Sequence, residues 1–209
     1  MKLAVIGASR GIGLELVKMA LANGLAVKAL VRDPAKFNLQ HPELTMVKGD
    51  ALDSMAVEAV VRDQDAVCCC IGVSPTRQPV TVFSEGVKNL LAAMQKTGAR
   101  HLVCVTGIGA GDSKGHGGFF YDWILNPLLL KTIYQDKDRQ EALIRASDVE
   151  WIIVRPGFLT NGPATGRYRV ITDLTGITAG KISRADVAHF ILAQLAAPTC
   201  LRQAPLLTY

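Results

Sequence analysis

Short apolar runs alternate along this chain with longer stretches in which apolar residues recur at helical spacing. Leu3 to Ile6 is the first run, and it ends at Gly7 as a fully buried parallel strand does. Between Gly11 and Ala22, the residues Ile12, Leu16, Met19 and Ala20 share one side of a helix that Asn23-Gly24 stops. Leu25 to Val31 reads as a second strand, and Asp33-Pro34 caps and opens a short helix reaching Phe37. Leu44 to Val47 is a third strand, Asp53-Ser54 caps a helix to about Arg62, and Ala66 to Ile71 is a fourth strand. A helix over Val80 to Thr97 closes at Gly98, and the strands His101 to Val105 and Trp151 to Val154 follow. This alternation predicts an α/β fold: a doubly wound, mostly parallel sheet with helices on both faces. No linker, repeat or low-complexity tail interrupts it, so one domain over residues 1–209 is expected.

Two segments break the rhythm. Gly107 to Gly118 carries Gly107, Gly109, Gly111, Gly115, Gly117 and Gly118, and the stretch after Arg155 is rich in Gly, Pro and Thr to about Gly180. Both follow strands, and ligands of open parallel sheets bind beyond the strands' carboxyl ends. The substrate rim is therefore expected from 107–123 and 155–180, with Gly107 to Gly118 as a mobile lid.

Composition narrows the ligand. Hydrophobic residues make up 49% and charged residues 20% of the 209, enough for a large core. The net charge of +5 comes from Lys and Arg spread along the chain, which suits a small anionic ligand better than nucleic acid. No signal-length apolar segment follows Met1 and no run reaches a membrane span, so a cytoplasmic protein without membrane contact is expected. Cys68, Cys69, Cys70, Cys104 and Cys200 lack metal-ligand spacing and read as free thiols, with no metal site. Oligomeric state, monomer or dimer, leaves no trace in the pattern.

The densest signal is Gly7-Ala8-Ser9-Arg10-Gly11-Ile12-Gly13, which follows the first strand and opens the first helix. Glycines in that position let backbone approach a pyrophosphate, and the helix amino terminus offers N–H groups and partial positive charge. A dinucleotide is the expected ligand. Arg32 follows the second strand, where an NAD site usually places a carboxylate for the ribose 2′-hydroxyl. A cation there suits a 2′-phosphate, with Arg10 as a second, while Asp33 before Pro34 suits helix capping. NADP(H) is thus expected over NAD. Asp50 is placed to accept from the adenine amino group, with Ala51 beside it, while Asp53 suits the next helix cap.

These residues carry a resemblance. The glycine loop resembles the cofactor loop of the short-chain dehydrogenase/reductase superfamily. Leu30-Val31-Arg32-Asp33, Gly49-Asp50, Ser84-Glu85-Gly86 with Asn89, Val154-Arg155-Pro156-Gly157 and Gly162-Pro163-Ala164-Thr165-Gly166 are similar to its atypical branch of flavin reductases like biliverdin reductase B and of NmrA-like proteins. The resemblance spans nearly the whole chain and implies a Rossmann-like domain. It implies that Cys70, Ile71 and Gly72 pass under the cofactor, that Thr106 faces it, and that Pro156, Gly157, Phe158 and Leu159 flank the nicotinamide. Two departures stand out against the biliverdin reductase B pattern: Gly107 replaces a serine, and Phe158 replaces a histidine.

Chemistry then turns on a proton donor. Ketone reduction needs an acid for the nascent alkoxide, and many short-chain enzymes use a tyrosine with a lysine four residues on. Here Tyr134 and Lys137 stand three apart, about 100° from that spacing on a helix. Gln135, Asp136, Asp138 and Arg139 around them suggest a solvated face, although Lys137 retains reach to a cofactor ribose. Thr106, Tyr134 and Lys137 are the catalytic candidates. A flavin or quinone takes hydride into its own conjugated ring and needs no such acid, and Phe119, Phe120, Tyr121, Trp123 and Phe158 offer an apolar wall for it. The expected function is NADPH-dependent hydride transfer to a planar small-molecule acceptor. The alternatives are an NADP(H)-binding redox sensor and a carbonyl reductase or epimerase-like enzyme.

Overall fold

A computed structural model describes residues 1–119 and 121–209, with side chains for all of these except 124–127. In chain order the elements are β1 (Lys2–Ile6), α1 (Gly11–Ala22), β2 (Ala26–Val31), β3 (Leu44–Lys48), α2 (Ser54–Val61), β4 (Ala66–Cys69), α3 (Val82–Thr97) and β5 (His101–Val105). A π-helical stretch Tyr121–Leu130 then leads into α4 (Lys131–Arg145). The chain finishes with β6 (Glu150–Pro156), β7 (Phe158–Thr160), β8 (Arg169–Ile171), β9 (Lys181–Ser183), α5 (Arg184–Ala196) and β10 (Leu206–Thr208).

The main sheet runs β3-β2-β1-β4-β5-β6-β10-β8, and only the β10–β8 edge pair is antiparallel. Because β1 lies between β2 and β4, the strand order reverses at its carboxyl end. That reversal opens a crevice just where Gly7 begins the glycine loop. Two buried rows explain why the sheet must be covered on both faces. Val5, Cys68, Val103 and Ile152 are in register and pack into a core with α1 and α5. Ile6, Cys69, Cys104 and Ile153 form the adjacent row and pack on the other face with α2, α3 and α4. Consecutive cysteines thus point to opposite faces, and all five are free thiols.

Caps hold the element ends that surround the crevice. Asp53 accepts from the N–H of Met55 and Ala56 at α2, and Asp33 from that of Ala35, as their positions before Ser54 and Pro34 predict. The third cap comes from a distant helix. Thr81 offers α3 no side-chain bond; instead Asp136 of α4 accepts from the N–H of Phe83 (2.9 Å) and Ser84 (3.3 Å) and from Ser84 Oγ (2.5 Å). Asp136 is fully buried, so the solvated face expected around Tyr134 and Lys137 is corrected. At Asp136 the charge faces inward because α3 needs an acceptor, while Gln135 and Arg139 remain exposed.

The first half of the glycine-dense segment, expected as a lid, packs here as a brace. Ser113 is fully buried, accepts from Gly109 N–H and donates to the Ala110 carbonyl. Gly111 N–H donates to Asp138, and a Cβ at Gly111 would lie 2.5 Å from Arg155 Nη2 and 2.7 Å from Glu141 Oε2. Glycine there serves close approach to a buried ion pair.

Asp136→Ala strands two buried N–H groups at the start of α3. It is expected to lower stability by about 2 kcal/mol or more, and Asp136→Asn, which keeps an acceptor oxygen, by less. Denaturant unfolding of the two variants measures the difference.

Candidate active site

A cleft of about 620 Å³ lies along the carboxyl ends of β1 to β6. Its walls hold Gly7, Ser9, Arg10, Gly11 and Ile12 from the loop, Arg32 after β2, and Asp50 and Ala51 after β3. Cys70, Ile71 and Gly72 after β4, Thr106 after β5, Lys137 of α4, and Pro156 and Leu159 at β6 and β7 complete it. The glycine pattern therefore locates the cleft, and residues scattered over the chain converge on it.

Backbone packing shapes the loop. Gly7 has φ +83°, and a Cβ on it would overlap the Cys70 carbonyl. A Cβ at Gly13 would overlap the Gly7 carbonyl, so Gly13 seats α1 against the loop without itself lining the cleft. Arg10 occupies the N-cap position of α1 but gives no side-chain cap, leaving the first-turn N–H groups to the cleft. Its guanidinium donates to the Gly72 carbonyl at 3.3 Å, on the β4 side of the loop. Arg32 follows β2, on the other side of the loop from Gly72. Arg32 itself makes no ion pair among the described residues, whereas the neighbouring Asp33 carboxylate is taken by Ala35 N–H and Lys36. Asp50 accepts from Leu52 N–H at 3.0 Å and keeps its place in the wall.

At the opposite end the three catalytic candidates meet around Gly107: a Cβ there would lie 3.2 Å from the Tyr134 hydroxyl and 3.5 Å from Lys137 Nζ, and Lys137 donates to the Thr106 carbonyl. Thr106 is buried, and its hydroxyl donates to Glu141 Oε1 at 2.8 Å, away from any acceptor in the cleft. Glu141 also takes Arg155 through Nε (3.1 Å) and Nη2 (2.6 Å), and Arg155 reaches Asp112 at 2.5 Å. This buried pair ties β6, α4 and the 107–113 segment together beneath the cleft floor. Tyr134 stands outside the cleft wall and shares a 2.6 Å hydrogen bond with Tyr121, whose ring meets Phe158 edge-on at 5.3 Å. Burial pushes the Tyr134 phenol above its ordinary value, making it a poorer acid. Lys137 does line the cleft: its ammonium donates to the Thr106 carbonyl and lies 5.2 Å from the Tyr134 ring centre. Desolvation lowers Lys137 to about 8.

The expected rim is only partly in place. No described residue of 107–123 lines the cleft, and 155–180 supplies Pro156 and Leu159. Gly157 packs against the Gly180 backbone, and Phe158 is 36% exposed beside Tyr121. Phe119 and Trp123 stack 6.5 Å apart and are 77% and 74% exposed, while Phe120 lies outside the described residues. The pattern missed Phe83, Ile133 and Arg184, which also line the cleft. Phe83 and Ile133 carry no local signal beyond apolarity, and Arg184 opens a helix whose apolar residues surround it on most sides.

A glycine loop at the switch point of a doubly wound sheet, opening into a cleft of this length, defines a dinucleotide-binding protein. Residues 7–198 match the NAD(P)H-binding family, and the chain belongs to it. An uncharacterized chloroplastic protein of Arabidopsis thaliana is 32% identical over 207 residues, covering 93% of this chain and 71% of that one. The uncharacterized sugar epimerase YhfK of Bacillus subtilis is 27% identical over 201 residues, covering 93% and 88%. The fold is shared with ChuY, an anaerobilin reductase from Escherichia coli O157:H7, at TM-score 0.85 and 23% identity, covering 100% of this chain and 97% of that one. A short-chain dehydrogenase/reductase from Veillonella parvula, in complex with NADP, superposes at TM-score 0.81 with 18% identity, covering 100% and 94%. These neighbours share the Rossmann-like fold that the loop residues imply.

Lys137 gives the site a pH signature. Between about pH 8 and its ordinary 10.5, the unfolded chain keeps a proton that the folded chain has released, so stability rises with pH across that window. That is the lysine's own contribution: burial raises Cys68, Cys70 and Cys104 above their ordinary 9.0 and Tyr134 above its ordinary 10.0, and these groups oppose it from about pH 9 upward. Unfolding of wild type and Lys137→Met compared across pH isolates the lysine: the wild type is expected to gain stability relative to the variant as pH rises through about 8.

Proposed function

We propose that this protein uses NADPH in preference to NADH and transfers hydride to a planar conjugated acceptor, a flavin or quinone. One observation supports the reading: of the two hydroxyl candidates, Thr106 is engaged by Glu141, and Tyr134 lies outside the cleft wall with its phenol raised by burial. Thr106 donates to Glu141 and Tyr134 is bonded to Tyr121. A ketone would have to take its proton from a phenol that burial makes a poorer acid, whereas a conjugated ring accepts hydride directly and draws its proton from solvent. NADP(H) follows from the cation Arg32 beside an already occupied Asp33.

In this arrangement the first-turn N–H groups of α1 bind the pyrophosphate, Arg32 the 2′-phosphate and Asp50 the adenine. Cys70, Ile71 and Gly72 form the floor, Lys137 meets the nicotinamide ribose, and Pro156 and Leu159 fix the ring's open face. NADPH supplies the hydride. The chain's own task is to hold the two rings face to face. The reductase activity of a protein sharing the fold supports this reading.

NADPH should bind at least about tenfold more tightly than NADH, roughly 1.4 kcal/mol, and Arg32→Ala should erase the difference. Titration of both cofactors decides it, and equal wild-type affinities would remove NADP preference. Tyr134→Phe should leave flavin turnover nearly unchanged. A fall by orders of magnitude would return the protein to carbonyl chemistry, and tight NADPH binding without turnover would make it a sensor.

A further inference from the structure

Arg184 sits where a cation is electrostatically costly. It is the first residue of α5, at the positive end of the helix dipole, and no carboxylate pairs with it among the described residues. The acid of that first turn, Asp186, is fully buried and occupied by Thr165, Gly166, Ser183 and Tyr209. Glu15, which shares a second cavity of about 650 Å³ with Arg184, is bonded to Lys18 at 3.1 Å. The guanidinium is nevertheless held in one place: Nη1 donates to Asn161 Oδ1 at 2.7 Å. Nε lies 3.9 Å from where a Cβ on Gly11 would stand, so Arg184 faces the uncapped start of α1. A fixed, unneutralised cation against open N–H groups calls for an anion between them.

We propose that Arg184 binds the cofactor's pyrophosphate from the α5 side, opposite the amino terminus of α1. This rests on the cofactor lying in the cleft as described above. Asn161 is the positioning residue: it takes one guanidinium N–H and leaves the remaining donors toward Gly11. The division of labour among the arginines follows from the sheet order. Arg32, beyond β2, reads the 2′-phosphate that distinguishes the two cofactors, and Arg184 reads the diphosphate that both share. Arg184 should therefore set affinity without setting preference.

The test is a titration of wild type, Arg184→Ala, Arg184→Lys and Arg32→Ala with NADPH, NADH and adenosine 2′-phosphate, which lacks a pyrophosphate. Arg184→Ala is expected to weaken NADPH and NADH by the same factor, about tenfold, the scale of a lost charge-assisted hydrogen bond, and to leave adenosine 2′-phosphate unchanged. Arg184→Lys, keeping charge without the fork, should fall between. Arg32→Ala should show the reverse pattern, weakening NADPH and adenosine 2′-phosphate alone. Wild-type affinity of Arg184→Ala for both dinucleotides would overturn the proposal. So would a loss confined to NADPH, or an effect seen only as a raised KM for an anionic acceptor, which would assign the arginine to the second cavity. A wild type that binds neither dinucleotide would overturn the cofactor placement itself. Circular dichroism and melting of each variant separate lost contacts from lost fold.

Discussion

The start of α1 touches the end of β4 backbone to backbone, and the cleft depends on that contact. Gly7 lies against the Cys70 carbonyl and Gly13 against the Gly7 carbonyl, with no room for a Cβ at either. The contact brings the first turn of α1 down onto the sheet edge at the point where strand order reverses, so its unpaired N–H groups open on the crevice. Any side chain at these positions would push the start of α1 away from the sheet edge. Arg10 and Arg32 then fall on opposite sides of the loop because β4 and β2 flank β1.

A second, electrostatic brace shapes the reacting end. Glu141 and Arg155 are both buried, an arrangement that is tolerable only because each carries several partners. One of those partners is the Thr106 hydroxyl, and the same pair anchors Asp112 and the glycines around it. What stiffens the floor of the cleft thus also engages the Thr106 hydroxyl. Structure and chemistry are coupled through one carboxylate.

Most of the fold was legible in the chain because β1 to β6 are apolar runs long enough to stand out, each followed by a punctuating Gly, Asp or Pro. The glycine loop was legible because its spacing and its place after a strand both matter physically. Other parts were not. β7 to β10 have three residues each, too few to show a period, and α5 is buried on most faces, with Asp186 and Gln194 buried among its apolar residues. The inward direction of Asp136 is set by the need of α3, fifty residues away, and no local pattern records such a need. The glycines from 107 onward looked like a hinge, yet Gly111 is there for contact with Arg155 and Glu141. A glycine's purpose, freedom or proximity, depends on what folds against it.

The account's central claim is that the nicotinamide end of this cleft passes hydride to a planar acceptor without an acid from the protein. It is tested most directly by mixing the protein–NADPH complex, without oxygen, with free flavin or a soluble quinone and following nicotinamide absorbance in a single turnover. NADPH deuterated at the reacting C4 position serves as the comparison. The account predicts oxidation that deuterium slows and that persists in Tyr134→Phe. NADPH that remains bound and unoxidised with every acceptor would contradict it.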